Sequence, residues 1–207
     1  LAARPCRAPP AQSGGMAAAL QVAPRDTVII APMPTIFSHP AVAIGLPHDS
    51  LPRRVVIAGA IGSILPDVDV IGFAAGVPYS STFGHRGFTH SILFALLASL
   101  LALWIVRPPR PVPAFAFLFA CTLSHGLFDA LTNGGLGVAF FSPFSNARYF
   151  FPWRPIQVSP IGPASLARLA PVVGSEVGWV WGPMATVAIL RRILRRVGAR
   201  SQGAAES

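Results

Sequence analysis

Five histidines and five aspartates occur in this 207-residue chain, and most of them fall into four short clusters. These are Ser38-His39-Pro40, Leu65-Pro66-Asp67-Val68-Asp69, Gly84-His85-Arg86-Gly87-Phe88-Thr89-His90-Ser91 and Ser124-His125-Gly126-Leu127-Phe128-Asp129. In the last cluster His125 and Asp129 stand four residues apart in an apolar run. On a helix that spacing puts both side chains on one face. Two such N/O donors can share a divalent cation, as paired ligands do in helical zinc motifs. An isolated HxxxD also recurs by chance, and then it marks a helix-end ion pair or hydrogen bond.

The surroundings decide between these readings. An ionisable side chain within a membrane span costs about 2.5–3.5 kcal/mol, so it pairs inside the protein or lines a polar cavity. A divalent cation compensates several carboxylates at once, whereas an uncompensated buried carboxylate takes up a proton. Of Asp67 and Asp69, one can face the metal while the other orients a histidine ligand. Either can serve as ligand or general base. Arg86, between His85 and Gly87, carries a planar fork suited to a phosphate or a carboxylate. Thr89 or Ser91 can cap a following helix.

The elements that must position these groups are greasy. The chain is 53% hydrophobic and 11% charged, against roughly 25% charged in an ordinary soluble domain. That composition excludes a solvated globule and a disordered chain and points to the membrane class. Four apolar stretches follow one another at roughly 55–76, 89–106, 113–132 and 175–193, and a span takes about 20 residues. The expected fold is all-α: a polytopic membrane helical bundle with about four spans and a long irregular connection, 133–174, before the last. That connection is rich in Gly, Pro, Ser and aromatics and is long enough to pack over a site. Pro66 is expected to end or kink the first helix just before Asp67, freeing carbonyls that can line a cavity.

Residues 1–32 are rich in Arg, Ala, Pro and Gly without an amphipathic period. They read as a disordered tail or a gene-start artefact, with a membrane-embedded domain over 33–199 and a flexible tail over 200–207. Cys6 and Cys121 are too far apart to form a zinc-type pair or a disulfide framework.

All sixteen basic residues are arginine. In an up-and-down bundle twelve of them, including Arg53, Arg54, Arg107, Arg110 and Arg191, fall on one side. Arg86, Arg148, Arg154 and Arg168 fall on the other. The positive-inside rule then puts both termini in the cytoplasm. Arginine bordering apolar stretches is topology-setting charge rather than a nucleic-acid footprint, so membrane lipids are the expected partners and nucleic acid is not. RRILRR near the C-terminus is expected to meet anionic headgroups. The same bundle brings the end of the first span, the start of the second and the end of the third to one side. His39 reaches that place only if its segment packs back onto the bundle. His48 and Asp49 read as loop residues, and Glu176 lies on the site side.

SHPAVAIGL, LPDVD, HRGFTHS, SHGLFDALTNGG and PFSNARYFFPWRPI, in this order between apolar spans, resemble the bacterial membrane-bound metal-dependent hydrolase family. That family is also described as LexA-binding, inner-membrane-associated hydrolases, and it is remotely similar to zinc-dependent phospholipase C. The resemblance covers roughly 34–193. It implies metal-ligand roles at His39, Asp67, His85, His90, His125 and Asp129, and a substrate-binding segment carrying Arg148 and Arg154. It departs from the soluble phospholipases by lacking their extra His/Glu ligands.

The function expected is an inner-membrane metal-dependent hydrolase of an ester or phosphoester, with a lipid as a fitting substrate. A divalent metal, zinc first, activates the water; Asp69 acts as a catalytic carboxylate, and Arg86 stabilises developing charge. Two rivals use the same residues. One is an ion carrier, which predicts flux without hydrolysis. The other is a non-catalytic membrane partner or regulatory protein, whose polar clusters hold spans together and which predicts no bound metal.

Overall fold

A computed structural model describes residues 38–158 and 169–205. Every regular element among them is helical, so the all-α expectation holds there. A short helix α1 (Ala41–Gly45) is followed by α2 (Arg53–Gly62). The chain then tightens into a 3-10 helix (Leu65–Val70) and a last turn, α3 (Ile71–Ala74). Pro66 lies in the first turn of the 3-10 helix, where its missing N–H costs nothing. The expected break therefore falls just before Asp67.

A second 3-10 turn (Phe88–His90) leads into α4 (Ile92–Val106). Ser91 caps α4 by accepting a hydrogen bond from the Phe94 amide at 3.1 Å. Arg107, in the left-handed conformation at φ 47°, ends it. α5 (Pro111–Ala130) starts on a proline and runs back beside α4 and α2. The C-terminal run consists of α6 (Leu169–Glu176), a widened π turn (Val177–Trp181) and α7 (Gly182–Ala205). Pro183, just beyond the π turn, has no N–H to donate to the preceding turn. The helix continues to Ala205, into the stretch that composition assigned to a tail. Residues 1–32 and Arg168 lie outside the described residues.

Two helical segments, Arg53–Ala74 and Pro111–Ala130, are long and apolar enough to cross a membrane. α4, the most uniformly apolar stretch, has only 15 residues, or about 22 Å at 1.5 Å per residue. That is less than the ~30 Å hydrocarbon core, because residues 85–91 form a turn and a cap instead of helix. Its outward face carries Leu97, Leu100, Leu101, Trp104 and Ile105, all exposed. Such a surface suits lipid rather than water.

The apolar core lies between α1, α2 and α5 and contains Val42, Val55, Phe117, Leu118 and Cys121. At Gly59 on α2 an added Cβ would stand 2.5 Å from a ring carbon of Phe117 and 3.1 Å from the Cys121 sulfur. The absent side chain is what lets α2 and α5 approach and holds the two halves of the site in register. Gly59→Val should destabilise the detergent-solubilised protein by about 1–3 kcal/mol through overpacking, seen as a lower Tm. Gly178→Ala, whose methyl would meet nothing within 4 Å, should leave Tm unchanged.

Candidate metal centre

The break in the first helix creates the site. Once α2 ends at Gly62, the Ser63 carbonyl leaves the helical ladder and accepts a hydrogen bond from His125 Nδ1 at 2.7 Å. That donor fixes the tautomer of His125 and leaves a lone pair on Nε2. His90 is oriented in the same way from its other side, where Nδ1 lies 3.2 Å from Asp69 Oδ2. Its Nε2 then faces His125 Nε2 at 3.1 Å.

Two carboxylates complete the set. Asp67 Oδ1 lies 3.2 Å from His125 Nε2 and 3.7 Å from His90 Nε2. Asp129 Oδ2 lies 3.2 Å from His90 Nε2 and 4.0 Å from His125 Nε2. All four residues are buried, and their ligand atoms lie within 4.8 Å of one another. Ligands about 2.0–2.1 Å from a tetrahedral zinc are about 3.3 Å apart; three of the separations lie close to that, and the two others given are longer, at 3.7 and 4.0 Å. Two imidazole lone pairs directed at each other in a buried site repel unless a cation or a proton lies between them. Asp67 Oδ2 and Asp129 Oδ1 are also buried without a hydrogen-bond partner. The donor set therefore fits a divalent cation, and these four residues could hold one.

The remaining expected residues lie around the cage. Asp69, expected as a catalytic carboxylate, receives His85 Nδ1 at 2.7 Å and the Thr89 hydroxyl at 2.5 Å, besides His90. Both its oxygens are engaged by these neighbours, and with His85 and His90 it forms a second group whose ligand atoms could hold a metal ion. His85 Nε2 is buried and unpartnered. His39 packs back as required and is buried, but its ring lies flat on His125, with centroids 3.9 Å apart. Neither of its nitrogens has a hydrogen-bond partner, and it is not among the four residues whose ligand atoms cluster. The neighbouring Ser38 hydroxyl donates to Glu176 at 2.7 Å, linking α6 to the site.

The arginines divide sharply. Arg86 is buried at φ 59°, with Nε 3.0 Å from Asp129 Oδ2 and Nη1 donating to the Gly134 carbonyl at 2.8 Å. Its fork has found a carboxylate, and its Nη2 is buried with no hydrogen-bond partner. Arg148 was expected at a substrate. Its guanidinium instead donates to the carbonyls of Tyr79, Ser81, His85 and Gly137 at 2.9–3.3 Å. It clamps the turn that carries His85 and Arg86 and does not face the cage. Arg154 is exposed and stacks over Phe150, 4.8 Å from the ring centroid. The described first part of the connection, 133–158, packs against the site, since Ala139 N donates to Arg86 O at 3.0 Å and Phe151 N to Ala130 O at 2.9 Å.

Sequence reasoning missed Thr89 as a support of Asp69, though it stands inside HRGFTHS, where its position before Ser91 suggested only a cap. It also missed Gly126. A Cβ there would stand 2.8 Å from the His90 carbonyl oxygen, and only that glycine lets α5 pass so close to a ligand. Asp69→Asn should weaken divalent-metal affinity about 10–100-fold, read by competition with a metal-sensitive dye. Gly126→Ala should weaken it as well by displacing His90. Unchanged affinity in both would contradict the assignment of His90 as a ligand.

A family model described as YdjM inner membrane protein matches residues 33–199. The chain is 41% identical over 163 residues to inner membrane protein YbcI of Escherichia coli (strain K12), covering 73% of this chain and 92% of that relative. It is 33% identical over 94 residues to inner membrane protein YdjM of the same organism, covering 40% of this chain and 47% of the relative. The uncharacterized protein YvsG of Bacillus subtilis (strain 168) is 31% identical over 96 residues, covering 43% and 58%. No solved structure matches. Apolar helices that gather a buried His/Asp cage thus coincide with a match over most of the sequence, and the chain belongs to the YdjM inner membrane protein family, located in the bacterial inner membrane.

Proposed function

We propose that the protein is a multi-pass inner-membrane hydrolase that cleaves an ester or phosphoester of an amphiphilic, lipid-like substrate with the help of a divalent cation, zinc first. The observation that carries this reading is the cage itself: His90, His125, Asp67 and Asp129 with ligand atoms within 4.8 Å of one another, each histidine fixed through its other nitrogen. A cation held by these four residues would supply Lewis acidity, and a fifth coordination position would have to take the water whose pKa it lowers. Imidazole with carboxylate suits zinc, and also manganese or iron.

The chain's own groups then have definite tasks. Asp67 keeps one oxygen, Oδ2, free of hydrogen bonds beside the cage. It is the carboxylate placed to take a proton from water, a task the sequence left open between Asp67 and Asp69. Arg86, with Nη2 unpartnered, is placed to steady negative charge on a phosphoryl or acyl oxygen. Asp69, Thr89 and Arg148 position the ligands, and His39 walls the cage on its His125 side. Together α2, α4, α5 and the C-terminal helix form the proposed four-segment membrane unit, with both termini cytoplasmic and the cage toward the opposite face.

A lateral route supports a lipid-like substrate. A groove of about 280 Å³, lined by Ile61, Ile64, Leu65, Val68 and Ile71, has Asp67 in its wall. Val68 and Ile71 are exposed, so an acyl chain can lie along the groove with its ester near Asp67.

Metal-reconstituted protein should hydrolyse at least one substrate among phosphodiester, phosphomonoester and carboxyl-ester amphiphiles. Asp67→Asn should lower turnover by about 10²–10⁴-fold, as loss of a general base does, and Arg86→Lys by about 10²–10³-fold. Failure of all three classes, or ion flux in proteoliposomes without hydrolysis, would overturn the enzyme reading.

A further inference from the structure

A second built pocket lies far from the cage. The loop 46–52 meets α7 around a cavity of about 290 Å³ whose polar wall is His48, Asp49, Arg191, Arg192 and Arg195. Its other wall is apolar, with Ile44, Ala185, Ala188 and Ile189. Ile44 and Ile189 are exposed, so this wall opens to the surroundings of the bundle. The pocket is thus amphipathic, cationic on one side and greasy on the other.

The cationic side is partly preorganised. Arg191 donates to the carbonyls of Gly45 at 3.1 Å and Leu46 at 2.5 Å, and it pairs with Asp49. Arg195 also pairs with Asp49 through Nη2. Desolvation works against ionisation of Asp49, but Arg191 and then Arg195 hold its carboxyl below the usual range. Two guanidinium groups therefore hold one carboxylate, and a third, that of Arg192, lines the same pocket. Arg192 pairs with no acidic side chain among the described residues, and Arg195 keeps the rest of its fork. The pocket retains excess positive charge, presented by planar forks that match phosphate oxygens.

Its depth agrees with this chemistry. Glu176 contacts Ser38 beside the cage, and Arg191 and Arg195 follow 15 and 19 residues later on the same helical run. At 1.5 Å per residue that is about 22–28 Å, close to the ~30 Å hydrocarbon thickness. If the cage lies near one interface, the pocket lies near the other, on the arginine-rich side. Juxtamembrane arginines there meet anionic lipid.

We propose that this pocket binds the phosphate of an anionic phospholipid headgroup, with Arg192 and Arg195 contacting the phosphate and the Ile44/Ile189 wall receiving the proximal acyl chain. The site is structural or regulatory, and it is separate from the hydrolytic cage. It would tie the C-terminal helix to the first loop and to the inner leaflet.

The test is thermal unfolding of the full-length protein in neutral detergent, titrated with short-chain phosphatidylglycerol, phosphatidylcholine of equal chain length, or inorganic phosphate. Phosphatidylglycerol should raise Tm saturably. Phosphatidylcholine and inorganic phosphate should not reproduce that rise. Arg192→Gln should weaken the phosphatidylglycerol response at least tenfold in midpoint concentration, and the Arg192→Gln/Arg195→Gln pair should abolish it. Arg110→Gln, with an arginine outside the pocket removed, should respond as wild type does. Arg192 is exposed, so the single variant keeps the test readable if the double variant fails to fold. An equal response to phosphatidylcholine, a full response to free phosphate, or an unaltered response in Arg192→Gln would each overturn the proposal.

Discussion

Two imidazole nitrogens, His90 Nε2 and His125 Nε2, face each other at 3.1 Å inside a protein built from apolar helices. Each ring is locked by its other nitrogen, one on Asp69 and one on the Ser63 carbonyl. Neither ring can turn away without leaving a buried polar group unpaired, which costs about 1–3 kcal/mol. Placing two buried carboxylates against the same pair adds a desolvation cost that only a positive charge at the centre offsets fully. Arg86 supplies part of that charge to Asp129 from one side. The geometry of the cage supplies a place for the rest.

Much of the surrounding structure follows from keeping these groups together. The helix break at Pro66 both frees the Ser63 carbonyl and swings Asp67 inward. The close passage of α5 at Gly126 lets His125 meet His90. Arg148 holds the His85–Arg86 turn through four carbonyls, and the irregular connection closes over that turn. α4 is short because the chain before it makes the site. A conventional span of full length would have placed His90 on a helix face rather than in a tight turn at its mouth.

The sequence made the chemistry more legible than the architecture. HxxxD spacing, the PDVD break and the HRGFTHS turn each marked residues that do converge, because helical periodicity and proline sterics act locally. The roles of individual polar groups were less readable. Asp67 and Asp69 are two residues apart, and only the tight 3-10 turn sends one to the cage and the other to His85 and Thr89. Arg148 and Arg154 looked alike in an aromatic-rich segment, yet one is bound to backbone carbonyls and the other lies on the surface. Asp49 read as a loop residue, since nothing local announces an arginine 142 residues away in sequence. Long-range pairing of this kind is set by tertiary packing, which no periodicity encodes.

The central claim is that His90 and His125 share one cation, and elemental analysis of detergent-purified protein tests it most directly. The account requires close to one equivalent of a divalent metal per chain at this centre in the wild type. That metal should be lost in both His90→Ala and His125→Ala, with helical circular dichroism retained. A wild-type protein that takes up no metal after reconstitution, or folded variants that both keep their full complement, would contradict it.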